Sequence, residues 1–333
     1  MQQKKIGLYA KHLTGHRKEY LDFIQEIIPS QQSSFKNLFL KKEPIIFLMI
    51  EDSPLTYLFI SIYRSIFQLK TVGFLFRPLP IFKKDTFRMK IKYLFLRVLK
   101  LIPKIQTILI VPDSLHIKFE KICDGWIYDM QLWDISDDQL ASYKDLRANY
   151  TNSSLVDKIK LIANGRKVVC AIGSQNKRKG FHIFADTFIE NPDIRHGYLF
   201  IFGGKLEGCT DLLEKFERFG GMSFNRFVSE EELIALYASS DLVWAFYDEE
   251  YDQASGIFGR ALQFGVPSII RSGSLVDRLC KIEKIPSLAL TTDNINLKSL
   301  EDFLKLDKIE GKNYKINFKN TSILNLKKAI ELS

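Results

Sequence analysis

The sequence predicts an α/β protein of two Rossmann-like domains facing each other across a cleft. Three observations predict it. Short apolar strands alternate with helical patterns through both halves of the chain, which is the rhythm of a parallel sheet covered by helices. The alternation stops in a polar stretch over 134–164 and then restarts. The 333 residues, 46% of them hydrophobic, suffice for two ordinary cores rather than one.

In the first half, 6–10 reads as a strand and 15–28 as a helix. A buried strand over 44–50 is followed by a helix over 55–67, and 71–76 is a third strand. A basic helical pattern over 83–104 leads to strands at 107–111 and 126–130. In the second half, 167–172 is a strand ending in Gly173, 181–190 a helix, and 198–202 a strand ending in Gly203-Gly204. A helix over 211–219 and a short strand over 224–228 follow. Ser229-Glu-Glu-Glu232 then forms a capping box for the next helix. Strand 241–246, a helix after Ser255-Gly256 and strand 268–270 complete the sheet. These elements define domains at 1–150 and 151–310. A helical segment at 311–333 is expected to pack back on the first domain.

Composition narrows the partners. Cys123, Cys170, Cys209 and Cys280 are far apart and lack CxxC spacing, so reduced, packed thiols are expected rather than disulfides or zinc. His12, His116, His182 and His196 show no metal-ligand spacing, and no metal is expected. No apolar run reaches the roughly 18 residues that span a bilayer. The net charge of +9 is uneven: over 83–104 eight basic residues face one acid, Asp85, with Phe87, Ile91, Leu94, Phe95, Val98, Leu101 and Ile102 between them at helical spacing. Two readings stay open. The segment is a surface helix with its stripe turned to the core, or an amphipathic helix docked on an anionic membrane surface. Nothing resembles a nucleic-acid module.

The stretch from Asp252 to Ile270 carries the strongest functional signal. Carboxylates and small residues lead into a helix that leaves through Gly265-Val-Pro267 to a strand. Ser255-Gly256 at a helix start presents backbone N–H groups backed by the helix dipole, a seat for a phosphate or diphosphate.

Together with what precedes it, this stretch resembles the donor-binding half of GT-B fold glycosyltransferases, especially the group 1 family. The resemblance rests on Ile172-Gly173-Ser174 with Lys179-Gly180, Phe200-Ile-Phe-Gly-Gly204, Phe224-Asn-Arg-Phe-Val228, Glu232–Tyr237, Ser240-Asp-Leu-Val243 and Ser255–Pro267. It implies that Lys179 meets the donor diphosphate and that the backbone around Arg226, Phe227 and Val228 reads the base. Gly173, Ser255 and Gly256 line the phosphates. The family's paired glutamates fall on Asp252 and Arg260, so an acid stands at the first position and a cation at the second. A guanidinium only donates hydrogen bonds and does not accept them from ribose; it contacts phosphate or pairs with a nearby acid instead. Glu249 and Glu250 are alternative acids. Ser174 replaces the family's arginine.

In the first half, Leu13-Thr-Gly-His16 is similar to the Thr-Gly-Gly-His loop of the lipid-linked N-acetylglucosaminyltransferase of peptidoglycan synthesis, with one glycine fewer. His16 is thus a candidate base or acceptor contact, kept neutral by the helix N-terminus. By position at strand ends, Glu51, Asp52, Arg77 and Asp113 are further candidates, with Asp52 the expected carboxylate base of an inverting enzyme.

The resemblance implies metal-independent transfer of a sugar from a nucleotide-diphosphate donor, UDP- or GDP-linked, to a hydroxyl of a carbohydrate or lipid-linked acceptor. No cofactor beyond the donor is expected, and cell-surface polysaccharide or lipopolysaccharide assembly is the expected setting. The expected location is the cytoplasm, peripheral on the inner face of the cell membrane. Two rivals remain: a nucleotide-sugar epimerase of the same fold, and a non-catalytic, degenerate subunit.

Overall fold

The computed structural model describes residues 5–13, 16–149, 154–304 and 311–330. It divides into two compact units, one of residues 1–130 with 317–333 and one of 131–316.

In the first unit the elements run β1 (Ile6–Tyr9), α1 (His16–Ile27), β2 (Ser30–Gln32), α2 (Asn37–Leu40), β3 (Ile45–Phe47), α3 (Pro54–Ile66), β4 (Thr71–Leu75), α4 (Pro80–Lys83), α5 (Phe87–Lys100), β5 (Ile105–Leu109) and β6 (Gly125–Trp126). The strands form one parallel sheet in the order β2-β1-β3-β4-β5-β6. Consecutive apolar residues such as Ile45, Ile46 and Phe47 are all buried, as expected of strands covered on both faces. Because β2 lies on one side of β1 and β3 on the other, the chain reverses direction between β1 and β3, and that switch point opens a crevice at the strand ends.

The second unit begins with α6 (Asp137–Asn149) and α7 (Ser154–Ala163). It continues through β7 (Lys167–Ile172), α8 (Phe181–Glu190), α9 (Pro192–Gly197), β8 (Tyr198–Gly204), α10 (Thr210–Arg218), β9 (Met222–Asn225), α11 (Glu230–Ser239) and β10 (Leu242–Ala245). Then come α12 (Gly256–Phe264), β11 (Ser268–Arg271), α13 (Leu275–Glu283), β12 (Leu288–Leu290), α14 (Leu297–Leu304) and the start of α15 (Gly311–Ala329). Its sheet is also wholly parallel, ordered β12-β11-β10-β7-β8-β9, with the switch point between β7 and β10. Phe184, Phe200 and Trp244 centre the core on one face of this sheet, while Ile159, Leu236, Tyr237 and Phe264 belong to the core on the other.

The α/β class and the two parallel sheets are as the sequence predicts. The expected polar junction is different: α6 and α7 occupy it and belong to the second unit, so the division falls at Met130 rather than at 150. The reason is packing. Tyr143 of α6 is buried and stacks on Phe264 at 4.5 Å, and Val156, Ile159 and Ala163 of α7 are buried as well. From Asn317 onward α15 belongs to the first unit: Phe318 lies 4.2 Å from the Tyr128 ring, and the Ser322 hydroxyl accepts from the Tyr128 N–H at 3.0 Å.

Candidate functional site

The β7/β10 switch point of the second unit gathers four of the nine expected donor-site residues, Gly173, Lys179, Ser255 and Gly256. After β7 the chain turns at Gly173 (φ +82°), whose N–H donates to the Gly203 carbonyl at 2.8 Å. A Cβ on Gly204 would sit 2.0 Å from the Gly173 oxygen, so the ends of β7 and β8 meet backbone to backbone with no side chain between them. A Cβ on Gly173 would in turn lie 3.2 Å from Ile257, which brings the first turn of α12 over the end of β7. The backbone of Gly173 and the first turn of α12 thus meet with only the Ile257 side chain against the glycine, and a glycine turn beside a helix N-terminus is an arrangement suited to an anion.

Lys179 reaches the same place from the other side. Asn176 caps the turn Lys177–Lys179, its side-chain oxygen accepting from the Lys179 N–H at 3.0 Å. Gly180 (φ +81°) presses this turn against the strand end, because a Cβ there would stand 2.2 Å from the Phe246 carbonyl oxygen just past β10. The Lys179 ammonium donates to the Ser174 carbonyl at 2.8 Å and lies 5.6 Å over the Tyr251 ring. Arg178 forms a long ion pair with Glu250 at 3.9 Å.

At α12, Ser255 is the N-cap: its hydroxyl accepts from the Phe258 N–H at 3.1 Å and shares a 2.9 Å hydrogen bond with the Tyr247 hydroxyl. By helix geometry the Gly256 and Ile257 N–H groups have no intrahelical acceptor. Gly256 and Gly259 also let α12 lie close on Gln131; added Cβ atoms would meet its side-chain and backbone oxygens at 2.0 and 2.2 Å.

Two expected donor contacts are engaged elsewhere. Asp252 is buried, accepts from the Leu275 N–H at 2.7 Å and pairs with Arg271 at 3.3 Å; Arg271 also donates to the Tyr247 carbonyl at 3.0 Å. The carboxylate therefore anchors the loop before α12 to the start of α13. Arg260 pairs with Asp134 at 3.0 Å, and Gln263 donates to the other Asp134 oxygen at 3.0 Å. A hollow beside Arg260 is lined by Asp134, Gln139, Glu230, Leu233 and Tyr237. Of the alternative acids, Glu249 and Glu250 lie on the short turn Glu249–Tyr251, with Glu249 3.6 Å from Arg271.

The expected base-reading segment is the turn between β9 and α11. Arg226 makes a two-pronged ion pair with Glu232, one prong at 2.8 Å, so its guanidinium is bound into the capping box of α11. Val228 is buried, while Phe227 is 87% exposed, a ring face held out on a braced turn.

In the first unit, Asp52 ends the turn Ile50–Asp52 after β3, at the β1/β3 switch point. Both its oxygens are bound by Arg17, one at 2.6 Å, and this pairing raises the guanidinium pKa further. Arg17 follows His16 in the first turn of α1, so the ion pair draws together the two elements that carry the expected catalytic residues. Thr14, Gly15 and the His16 side chain lie outside the described residues. Glu51 binds the Phe76 and Arg77 N–H groups at 3.0 and 2.8 Å and so ties the ends of β3 and β4 together. Asp113 opens a short turn, Asp113–Leu115, after β5. Sequence reasoning missed Arg17, Asp134, Tyr247 and Arg271. Arg17, Asp134 and Arg271 act through partners 19 or more residues away, and Tyr247 binds Ser255 across the loop eight residues on, so no motif spacing marks them.

No protein-family model and no curated sequence matches the chain. Solved structures do. HepE of Anabaena in complex with UDP is 15% identical with a TM-score of 0.65 over 98% of both chains. WaaG, a glycosyltransferase involved in lipopolysaccharide biosynthesis, is 13% identical with a TM-score of 0.56, again over 98% of both. The trehalose 6-phosphate synthase of Burkholderia multivorans is 11% identical with a TM-score of 0.59 over 89% of this chain and 74% of its own. The chain has the GT-B fold. The two parallel six-stranded sheets with flanking helices are the sheets of that GT-B fold, and the loop cluster at Gly173, Lys179 and Ser255 stands at the switch point of the second.

Proposed function

We propose that this GT-B chain is a glycosyltransferase that moves a sugar from a nucleoside-diphosphate donor to a hydroxyl acceptor. The observation that carries the reading is the convergence at the β7/β10 switch point of Gly173, the Lys179 ammonium and the N-terminus of α12, on a fold shared with a protein crystallised with UDP. The acceptor oxygen attacks the anomeric carbon while the bond from that carbon to the diphosphate oxygen breaks, and the nucleoside diphosphate leaves with the electron pair. Lys179 and the α12 amides offer a fixed positive field to the charge that develops on the leaving group, which makes the reaction independent of metal. The acceptor proton passes to a base of the first unit. Asp52, oriented by Arg17, is that base if configuration inverts, with His16 the alternative. Phe227 offers a stacking face to the donor's nucleobase, and Arg226 with Glu232 braces the turn that holds it.

The setting that fits this reading is cell-surface polysaccharide or lipopolysaccharide assembly on the cytoplasmic side of the membrane, with a lipid-linked acceptor approached through the basic segment 83–104. No helix among the described residues is long and apolar enough to cross a membrane.

Calorimetric titration with UDP, GDP and their sugars tests the donor site. UDP is expected to bind, and Lys179→Ala to weaken it roughly 10- to 100-fold, the loss of one hydrogen bond to a charged group worth about 1.5–3 kcal/mol. Heat with no nucleotide or nucleotide sugar would sink the reading. The engagement of Asp252 and Arg260 by Arg271 and Asp134 favours a second reading, a donor-binding subunit without turnover. It predicts UDP binding with no sugar released or transferred. Donor turnover without an acceptor would point to an epimerase.

A further inference from the structure

Helix α3 is built inside out. Its sheet-facing side buries Tyr57 and Ile60 but also Ser61 and Arg64, while Leu55, Phe59, Ile62, Tyr63 and Ile66 lie exposed at helical spacing on the opposite side. Leu55 and Phe59 are each 67% exposed and Ile66 is 70% exposed, so this is no margin of a core. Helix α5 repeats the arrangement. Leu96 and Leu99 face inward, and Phe87, Ile91, Leu94, Val98 and Leu101 form an outward stripe whose ends are 80% and 82% exposed. Most of the stripe that a core-facing reading of the segment turns inward therefore faces out, while Phe95 and Ile102 at its flank are half-buried, Phe95 beside Tyr57 at 6.4 Å.

These two stripes belong to one surface. β3, β4 and β5 follow one another in the sheet, and right-handed crossovers place α3 and α5 side by side on the same face. Helix α2 extends the surface through a ladder of exposed rings, Phe35 to Phe39 at 5.6 Å, Phe39 to Tyr63 at 5.3 Å and Tyr63 to Phe67 at 5.1 Å. Buried Arg64 fixes the geometry beneath: its guanidinium donates to the carbonyls of Leu38, Lys41, Glu43 and Lys70 at 2.6–3.2 Å, pinning α2 against α3. A broad apolar face of this kind, rigid and bordered by polar groups, marks a docking surface.

Charge selects the occupant. Residues 36–104 contain fourteen Lys and Arg against four Asp and Glu, a net +10 that exceeds the +9 of the whole chain. Exposed Lys36, Lys42, Lys83, Lys84, Arg88 and Arg97 lie on the same three helices or the short segments beside them. A second copy of this chain docking through the same face would bring like charges together. We propose that α2, α3 and α5 form one face that docks on an anionic lipid bilayer, the apolar side chains entering the headgroup–acyl boundary and the lysines and arginines meeting lipid phosphates. This rests on the reading of a lipid-linked acceptor given above and deepens it from one basic helix to a three-helix surface.

Flotation of the full chain with phosphatidylglycerol-containing and with pure phosphatidylcholine vesicles tests it, with no nucleotide present, so its outcome is separate from that of the UDP titration. Binding is expected to the anionic vesicles alone and to weaken with added salt. A Phe59→Ser/Ile66→Ser variant and a Phe87→Ser/Leu94→Ser variant should each lower partitioning at least tenfold. Lys84→Glu, reversing an exposed charge, should lower it by about fivefold or more. All replaced residues are exposed, and unchanged melting and an unchanged UDP titration would show each variant folded. Equal binding to both vesicle types, or loss in only the α5 variant, would overturn the three-helix proposal. So would a stable dimer in light scattering that the α3 and α5 variants dissolve.

Discussion

Glu232 shows how one residue serves two purposes. Its side chain closes the capping box on the Ser229 N–H and grips Arg226, which fixes the turn that presents Phe227. The Arg226 guanidinium, helped by the Ser229 N–H, holds the carboxyl pKa down at about 2, against an ordinary value of 4.5. A carboxylate with a depressed folded pKa stabilises the protein fully above its unfolded value. That contribution is lost as pH falls from about 4.5 towards 2. Glu232→Gln should therefore melt below the parent protein at pH 6, and the gap should close as the pH approaches 2. A gap that persists unchanged at low pH would show that the carboxylate charge is not what braces the turn. Asp252 and Arg260 carry the same lesson for the proposed donor site. Their positions were legible in the sequence, but their partners Arg271 and Asp134, 19 and 126 residues away, were not.

At the scale of the element, the loop between β7 and α8 depends on glycine for reasons that differ by position. Gly180 needs a left-handed backbone and also has the Phe246 carbonyl where a Cβ would be. Gly180→Ala is expected to cost more than about 1 kcal/mol in urea unfolding. It should also weaken UDP binding, because the Lys179 turn would lift from the end of β10. Unaltered stability and affinity together would contradict the close approach. The sequence singled out this loop through Lys179-Gly180 but did not foresee α6 and α7. Their apolar positions are sparse, Tyr143 and the partly buried Leu140 and Leu146 in α6, so the segment reads as polar linker until Phe264 is seen beneath Tyr143. Helix α5 gave the opposite ambiguity. Its periodicity was plain, but a stripe of period 3.6 fixes only that one side is apolar and not which way that side points.

For the whole molecule, the fold places the last helix, from Asn317 onward, with the first unit although the chain has passed through the second in between. Phe318, Leu326 and Ile330 are 0–2% exposed, and burying three such side chains is worth about 6 kcal/mol at roughly 2 kcal/mol each. Truncation before Asn317 should therefore lower the first unfolding transition sharply or leave the chain insoluble, as measured by urea titration and by soluble yield. Full solubility with an unchanged transition would mean that the helix contributes little to the core it covers.

By itself the sequence determined the α/β class, nearly all the strands along the chain, and the glycine, lysine and helix-cap residues of the loops at the β7/β10 switch point. These follow from local rules: apolar periodicity, capping, and backbone conformations open to glycine. Tertiary structure alone decided that Arg17 holds Asp52, that Asp252 and Arg260 are matched by Arg271 and Asp134, and that the apolar faces of α3 and α5 turn outward. Charge pairing and burial join residues far apart in the chain. Only the folded sheet order states which of them meet.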